Sequence, residues 1–130
     1  MDIKLKTTNM ILYCNKWEQT VCFYKDLLQL PVTFFSDWFV EFTLNPASRV
    51  SIADEKRASI KSCRGKGITL ALEIEDIETV WEDMEKVGLK PTEIRQHPWN
   101  ARTFYLFDPE GHRIEIWEKN AEKTKGSCVC

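Results

Sequence analysis

Residues 68–75 alternate, with Leu70, Leu72 and Ile74 on one face and Thr69, Ala71 and Glu73 on the other, which is the period of a strand with one buried side. Behind Asp76, a good N-cap, the period lengthens. Ile77, Val80, Met84 and Val87 fall at helical spacing, and the run stops at Gly88, which suits the left-handed position past a helix end. Pro91 prevents continuation. The chain before residue 55 follows the same grammar. A strand is predicted near 9–14, then a helix through Trp17, Val21, Tyr24 and Leu28, opened by a capping box of Asn15 and Glu18 and closed by Pro31. Three strands are predicted after each helix: 32–35, 38–44 and 49–53 in the first case, and 92–96, 102–107 and 113–118 in the second. Turns are predicted at 45–48 and 108–111.

This agreement between the halves extends to the residues. Thr20-Val21-Cys22 reappears as Thr79-Val80-Trp81, and Leu30 recurs as Leu89 at the same offset. Asn45-Pro46 parallels Asp108-Pro109, and Arg49-Val50-Ser51-Ile52 parallels Arg113-Ile114-Glu115-Ile116. Such self-similarity dictates architecture. The expected fold class is α+β, two βαβββ repeats forming a curved mixed sheet around a central cleft. A four-stranded sheet with one helix buries one face well and leaves the other needing a partner, and a cleft lined by alternating strand positions is an ordinary place for a small ligand.

Three features together carry a family resemblance: the two βαβββ halves, the Phe23-Tyr24 pair before Leu27-Leu28-Gln29-Leu30, and the run from Phe104 through Asp108-Pro109-Glu110-Gly111-His112 to Trp117. They resemble the vicinal oxygen chelate superfamily, the glyoxalase, bleomycin-resistance and extradiol-dioxygenase group, over about residues 8–119. The resemblance implies a single glyoxalase-like domain over 1–120, with a first half at 8–54, a linker at 55–67, a second half at 68–119, and a disordered tail at 121–130. It also implies that each half curls into a partial barrel, that the halves meet around the cleft, and that the protein is a homodimer.

In metal-dependent members a divalent ion is held from the first and last strand of each half, by His or Gln and Glu. The matching positions here are Asn9, Ser51, Thr69 and Glu115, of which only Glu115 is a customary strong ligand. No metal ligand set and no cofactor are therefore expected. The alternative is a hard divalent cation held by Glu115, Glu41 or Glu73 with waters. Glu115 points opposite to Ile114 and Ile116, hence into the cleft, where it can act as acid or base, receive a cationic ligand, or bond Thr69 or Asn9. Trp117 shares its face by alternation, and a carboxylate beside an indole suits a planar or cationic organic molecule. The resemblance places Trp38, Trp99 and Tyr105 around the same cleft. Of the two histidines, His97 lies at a plausible cleft rim and His112 follows a turn, where a solvated or turn-bonded imidazole is expected.

Composition narrows the partners. The 130 residues are 43% hydrophobic and 29% charged with a net charge of −2, which describes a soluble globular domain with no broad basic face for nucleic acid. No apolar run reaches the roughly 20 residues that span a bilayer, so no membrane partner is expected. Cys14, Cys22, Cys63, Cys128 and Cys130 are odd in number, and with no signal-like start they suggest a reducing, cytoplasmic setting. Lys56, Arg57, Lys61, Arg64 and Lys66 make the linker either a solvated connection or a basic flap over an anionic ligand, and spacing does not choose. The Cys128-Val129-Cys130 ending resembles a doubly prenylated tail, against which stands a frayed terminus.

Three functions compete. The first is a metal-free binding module that takes an apolar or cationic small molecule in the cleft. The second is a metal-dependent lyase, isomerase or dioxygenase using Glu115, with His97 recruited from its loop. The third is an interaction domain whose cleft is unused.

Overall fold

The structure is a computed structural model that describes residues 1–120. The tail expected at 121–130, and with it Cys128 and Cys130, lies outside the described residues. The chain forms two four-stranded mixed sheets of the same design, which is the expected α+β class with two βαβββ repeats. In the first repeat β1 (Thr8–Cys14) leads to α1 (Trp17–Cys22), then β2 (Val32–Phe35), β3 (Phe39–Asn45) and β4 (Ser48–Asp54). In the second, β5 (Thr69–Glu73) leads to α2 (Ile77–Lys86), then β6 (Arg95–His97), β7 (Ala101–Phe107) and β8 (Arg113–Lys119). The sheet orders are β1-β4-β3-β2 and β5-β8-β7-β6, with β1 parallel to β4, β5 parallel to β8, and the remaining pairs antiparallel.

The chain divides into two compact units, one comprising Met1–Lys66 with Asp108–Gly111, the other Gly67–Phe107 with His112 onward. In the first unit Leu12, Cys14, Val40, Phe42, Val50 and Ile52 are buried with Phe23 and Tyr24 from the helical segment. The Tyr24 and Phe42 rings lie 6.0 Å apart. The Trp17 indole N–H donates to the carbonyl of Ile52 at 2.9 Å, fastening the helix to β4. In the second unit Ile77, Phe104, Leu106, Ile114 and Ile116 are buried, and the Trp81 indole donates to the carbonyl of Thr92 at 2.8 Å. Burial of about 25 cal/mol per Å² of apolar surface makes these alternating positions the main stabilising term.

Five local expectations are corrected. The first helix is regular only over Trp17–Cys22 and continues as a π-helical turn over Phe23–Leu27, with the Leu28 N–H donating to the Phe23 carbonyl at 3.0 Å. The Asn15–Glu18 capping box does not form. The residues there instead donate backbone N–H groups to the buried Glu110 carboxylate, at 2.8 Å from Asn15 and 2.7 Å from Lys16. Asp76 does not cap α2 with its side chain either, because its φ of 63° departs from the extended conformation that aims a cap at the first turn. Glu118 takes the Ile77 N–H at 2.9 Å in its place. The strand expected at 92–96 is confined to Arg95–His97, while Thr92 meets β7 through two bonds to Tyr105, its N–H donating to the Tyr105 carbonyl at 3.0 Å and its hydroxyl accepting from the Tyr105 N–H at 2.8 Å. His112 is buried at 1% exposure, so it is not a solvated imidazole.

The 55–67 segment connects the repeats, and residues 55–66 belong to the first unit. Glu55 accepts from the Asn15 amide at 2.9 Å and from the Ser62 N–H at 3.0 Å. The Ser62 hydroxyl donates to Glu110. Among the described residues no helix is long and apolar enough to cross a membrane.

Candidate functional site

In each sheet one face packs under its helix and alternation turns the other residues to the opposite face. On that opposite face of the first sheet lie Asn9, Glu41, Thr43, Arg49 and Ser51, brought together by the registers of β1 with β4 and of β4 with β3. They satisfy one another. The Ser51 hydroxyl donates to Asn9 Oδ1 at 2.8 Å, Thr33 donates to Glu41 at 2.8 Å, and the Arg49 guanidinium lies 3.7 Å from Glu41 and 3.4 Å from the Thr43 hydroxyl. Ser51 is fully buried while Asn9 is exposed. Trp38 precedes β3, half-buried, and meets Phe39 edge to face at 5.6 Å.

The second sheet gathers the larger set. Tyr105 on β7 faces Glu115 on β8, Thr103 faces Trp117, and Thr69 on β5 faces Arg113. Glu115 and Trp117 are half-buried, between the buried Ile114 and Ile116 that point to the helix. Within the second sheet Thr69 does not bond Glu115; it accepts from Arg113 Nε at 3.0 Å. The Arg113 guanidinium also lies 4.6 Å from the centre of the Tyr105 ring, a cation–π contact that holds a fixed positive charge on this face. Alternation along β8 thus sets Arg113, Glu115, Trp117 and Lys119 in a row. Of the sequence-derived residues, the structure gathers Thr69, Tyr105, Glu115 and Trp117 on one sheet face. Asn9 and Ser51 lie together on the other sheet.

Trp99, in the turn between β6 and β7, is 69% exposed and stacks on His97, with ring centres 4.5 Å apart and planes 8° from parallel. It lines a cavity of about 370 Å³ with Asn100, Ala101, Trp117, Lys119 and Asn120. Arg113, Lys119, Asn100 and Asn120 went unnoticed as candidates. The two cations were available from the same two-residue alternation that picked out Glu115 and Trp117. The two asparagines, twenty residues apart, are joined only by the end of the β7–β8 pair. Among the described residues no three His, Cys, Asp or Glu side chains come together as a metal cage requires.

A larger groove of about 590 Å³ lies on the first unit, along Glu18, Gln19, Cys22, Phe23, Asp26, Leu27 and Pro109. Beneath α1, Cys14 is fully buried. Burial first, then the Glu110 and Asp108 carboxylates, push its thiol far above the usual range, so it stays protonated and inert.

Residues 7–120 match the family model described as a glyoxalase-like domain. The uncharacterized protein YraH of Bacillus subtilis (strain 168) is 26% identical over 127 residues, covering 88% of this chain and 98% of its own. Among solved structures, a glyoxalase/bleomycin resistance protein/dioxygenase from Nocardioides superposes with a TM-score of 0.76 at 20% identity, over 93% of this chain and 87% of that one. Lactoylglutathione lyase from Agrobacterium tumefaciens superposes with a TM-score of 0.71 at 16% identity, over 85% and 91%. At these identities the structural likeness speaks for the fold alone. The family model spans nearly the whole described chain, and with the repeated βαβββ design it establishes that this protein belongs to the glyoxalase-like domain family of the vicinal oxygen chelate superfamily.

Proposed function

We propose that the protein is a metal-free binding module that holds a planar, apolar or cationic organic molecule on the open face of its second sheet. The observation that carries this reading is the β8 row, in which a half-buried carboxylate, Glu115, stands beside an indole, Trp117, with the Tyr105 ring facing Glu115 across the strand pair. An indole face attracts a cation, and a neighbouring carboxylate adds a charge-assisted contact.

The donor set supports the metal-free part. Asn9 is engaged by Ser51, and Thr69 is engaged by a guanidinium, whose positive charge opposes a metal ion at that end of the face. Glu115 is left as the one anionic donor of the four positions, too few for the family's usual centre. These residues therefore do not fit the metal.

The test is titration of the purified protein with 1-methylquinolinium, a planar cation, followed by quenching of tryptophan fluorescence. Saturable binding is expected, weakened about tenfold by Glu115→Gln, the equivalent of about 1.4 kcal/mol. Binding of the cation unchanged by that substitution, or no saturable binding, would overturn the reading. A solution measurement of mass belongs beside it, because a homodimer is the assembly proposed.

A further inference from the structure

The Trp99 cavity lies at the Lys119 end of the β8 row, opposite Arg113. Trp117 lines it with one side chain and shares its sheet face with Glu115, while Lys119, two residues further, lines the same cavity with an ammonium. We infer that this cavity is a subsite for an aromatic ring bearing an anionic group, so that the ligand of the second sheet is a zwitterionic aromatic compound, cationic toward Glu115 and anionic toward Lys119. The inference rests on the function proposed above and names its ligand class.

Size, shape and charge each argue for it. At about 370 Å³ the cavity lies near the lower end of small-molecule sites, which suits one bicyclic ring and its substituent rather than a large ligand. Trp99 offers an indole whose orientation is set by the parallel His97 ring, so part of the entropy of ordering an exposed side chain is already lost before a ligand arrives. The far wall is also set. Asn120 Nδ2 donates to Asn100 Oδ1 at 3.1 Å, and its backbone N–H donates to the Asn100 carbonyl at 2.9 Å. That arrangement uses the carbonyl oxygen of the Asn100 side chain and leaves its amide N–H₂ as a donor beside Lys119, the pairing that a carboxylate accepts from.

Lys119 also borders a hollow with Glu73, Glu75, Asp76 and Glu118. None of them forms an ion pair with it among the described residues. The ammonium is thus available to a ligand anion. At roughly 3.3 Å per residue, Glu115 and Lys119 are about 13 Å apart along the strand, and the indole of Trp117 lies between their side chains. A ring system carrying charges at opposite ends matches that order.

Four probes test this on the full chain by fluorescence quenching: naphthalene-2-methanol, naphthalene-2-carboxylate, 2-naphthylmethylammonium and 6-(aminomethyl)naphthalene-2-carboxylate. The carboxylate is expected to bind about tenfold tighter than the alcohol, and the zwitterion tightest of the four. Lys119→Gln should remove the advantage of the carboxylate and leave the alcohol unchanged, whereas Glu115→Gln should weaken the two probes that carry an ammonium and leave the other two unchanged. Trp99→Ala, at an exposed position where folding is not at stake, should weaken all four. If the carboxylate gains nothing over the alcohol, or Lys119→Gln leaves it unchanged, the anionic subsite is overturned while a surviving Glu115 effect on the ammonium probe keeps the broader reading. If no probe binds, both fall.

Discussion

At the level of single residues, the buried carboxylates explain more than the buried hydrophobes. Glu110 is 6% exposed and Asp108 4%, and a carboxylate so far from water is tolerated only where charge-assisted hydrogen bonds replace its hydration. Glu110 receives Asn15 and Lys16 N–H groups and the Ser62 hydroxyl. Asp108 receives the Tyr24 hydroxyl at 2.8 Å. Tyr24 is fully buried, and burial together with the Asp108 charge holds its phenol well above the ordinary range. The same carboxylates act on Cys14. Because its folded-state value is raised above the unfolded one, its contribution to stability is complete below the ordinary thiol range and is lost as pH rises past it. Iodoacetamide at about pH 9, where an ordinary thiol is largely ionised, should therefore label the exposed Cys22 and Cys63 in the native protein and spare Cys14, as peptide mass spectrometry can check. Rapid labelling of Cys14 without denaturant would contradict its protected environment.

At the level of elements, both helices start on a carboxylate from far along the chain. Glu110 serves the start of α1 and Glu118 the start of α2, where Arg102 also pairs with Glu78 at 2.6 Å and lies 3.7 Å from Glu118. Negative charge at a helix start is favourable because the first N–H groups have no partners within the helix and the helix dipole is positive there. Glu110→Gln keeps an acceptor but removes the charge, and should lower stability by about 2 kcal/mol, or a few degrees in Tm, with faster hydrogen exchange at Asn15 and Lys16. The adjoining Gly111 is equally constrained. Its φ is 103°, and a Cβ there would stand 2.9 Å from the Arg64 carbonyl oxygen, so Gly111→Ala should destabilise at least as much. An unchanged melting curve for both variants would show that the turn contributes little.

At the level of the whole molecule, the first compact unit is discontinuous in sequence, because it needs Asp108–Gly111 as well as Met1–Lys66. A fragment of residues 1–66 lacks the acceptors of the α1 N–H groups and of the Tyr24 hydroxyl, and would leave a buried polar cluster without partners. It should be largely unfolded by circular dichroism, while the full chain folds; a cooperative thermal transition in the fragment would refute that dependence.

Much of this architecture was legible in the order of residues. Apolar alternation and helical spacing located all eight strands and both helices; the strand at Val32–Phe35 agrees residue for residue, and α2 ends at Lys86, one residue short of the expected run, with Gly88 at positive φ past its end, since hydrophobic period and glycine conformation are local properties. The opposite facings of Glu115 and Ile114 were legible for the same reason. What failed were the caps, the π-helical turn, the solvated reading of His112 and the start of the strand expected at 92–96. Asn15, Glu18 and Asp76 have the local chemistry of caps, but Glu110 and Glu118 occupy those places from 94 and 41 residues away. A local pattern cannot show such a competitor. The same limit applies to the candidate site. Period two along β8 sets Glu115, Trp117 and Lys119 in one row, whereas the approach of Trp99 and of the Asn100–Asn120 pair to that row exists only once β7 and β8 are in register. The sequence by itself determined the repeat, the faces of the strands and the family; tertiary structure decided which distant carboxylates start the helices and which side chains line the cavity, because long-range pairing, not local propensity, brings those groups within bonding distance.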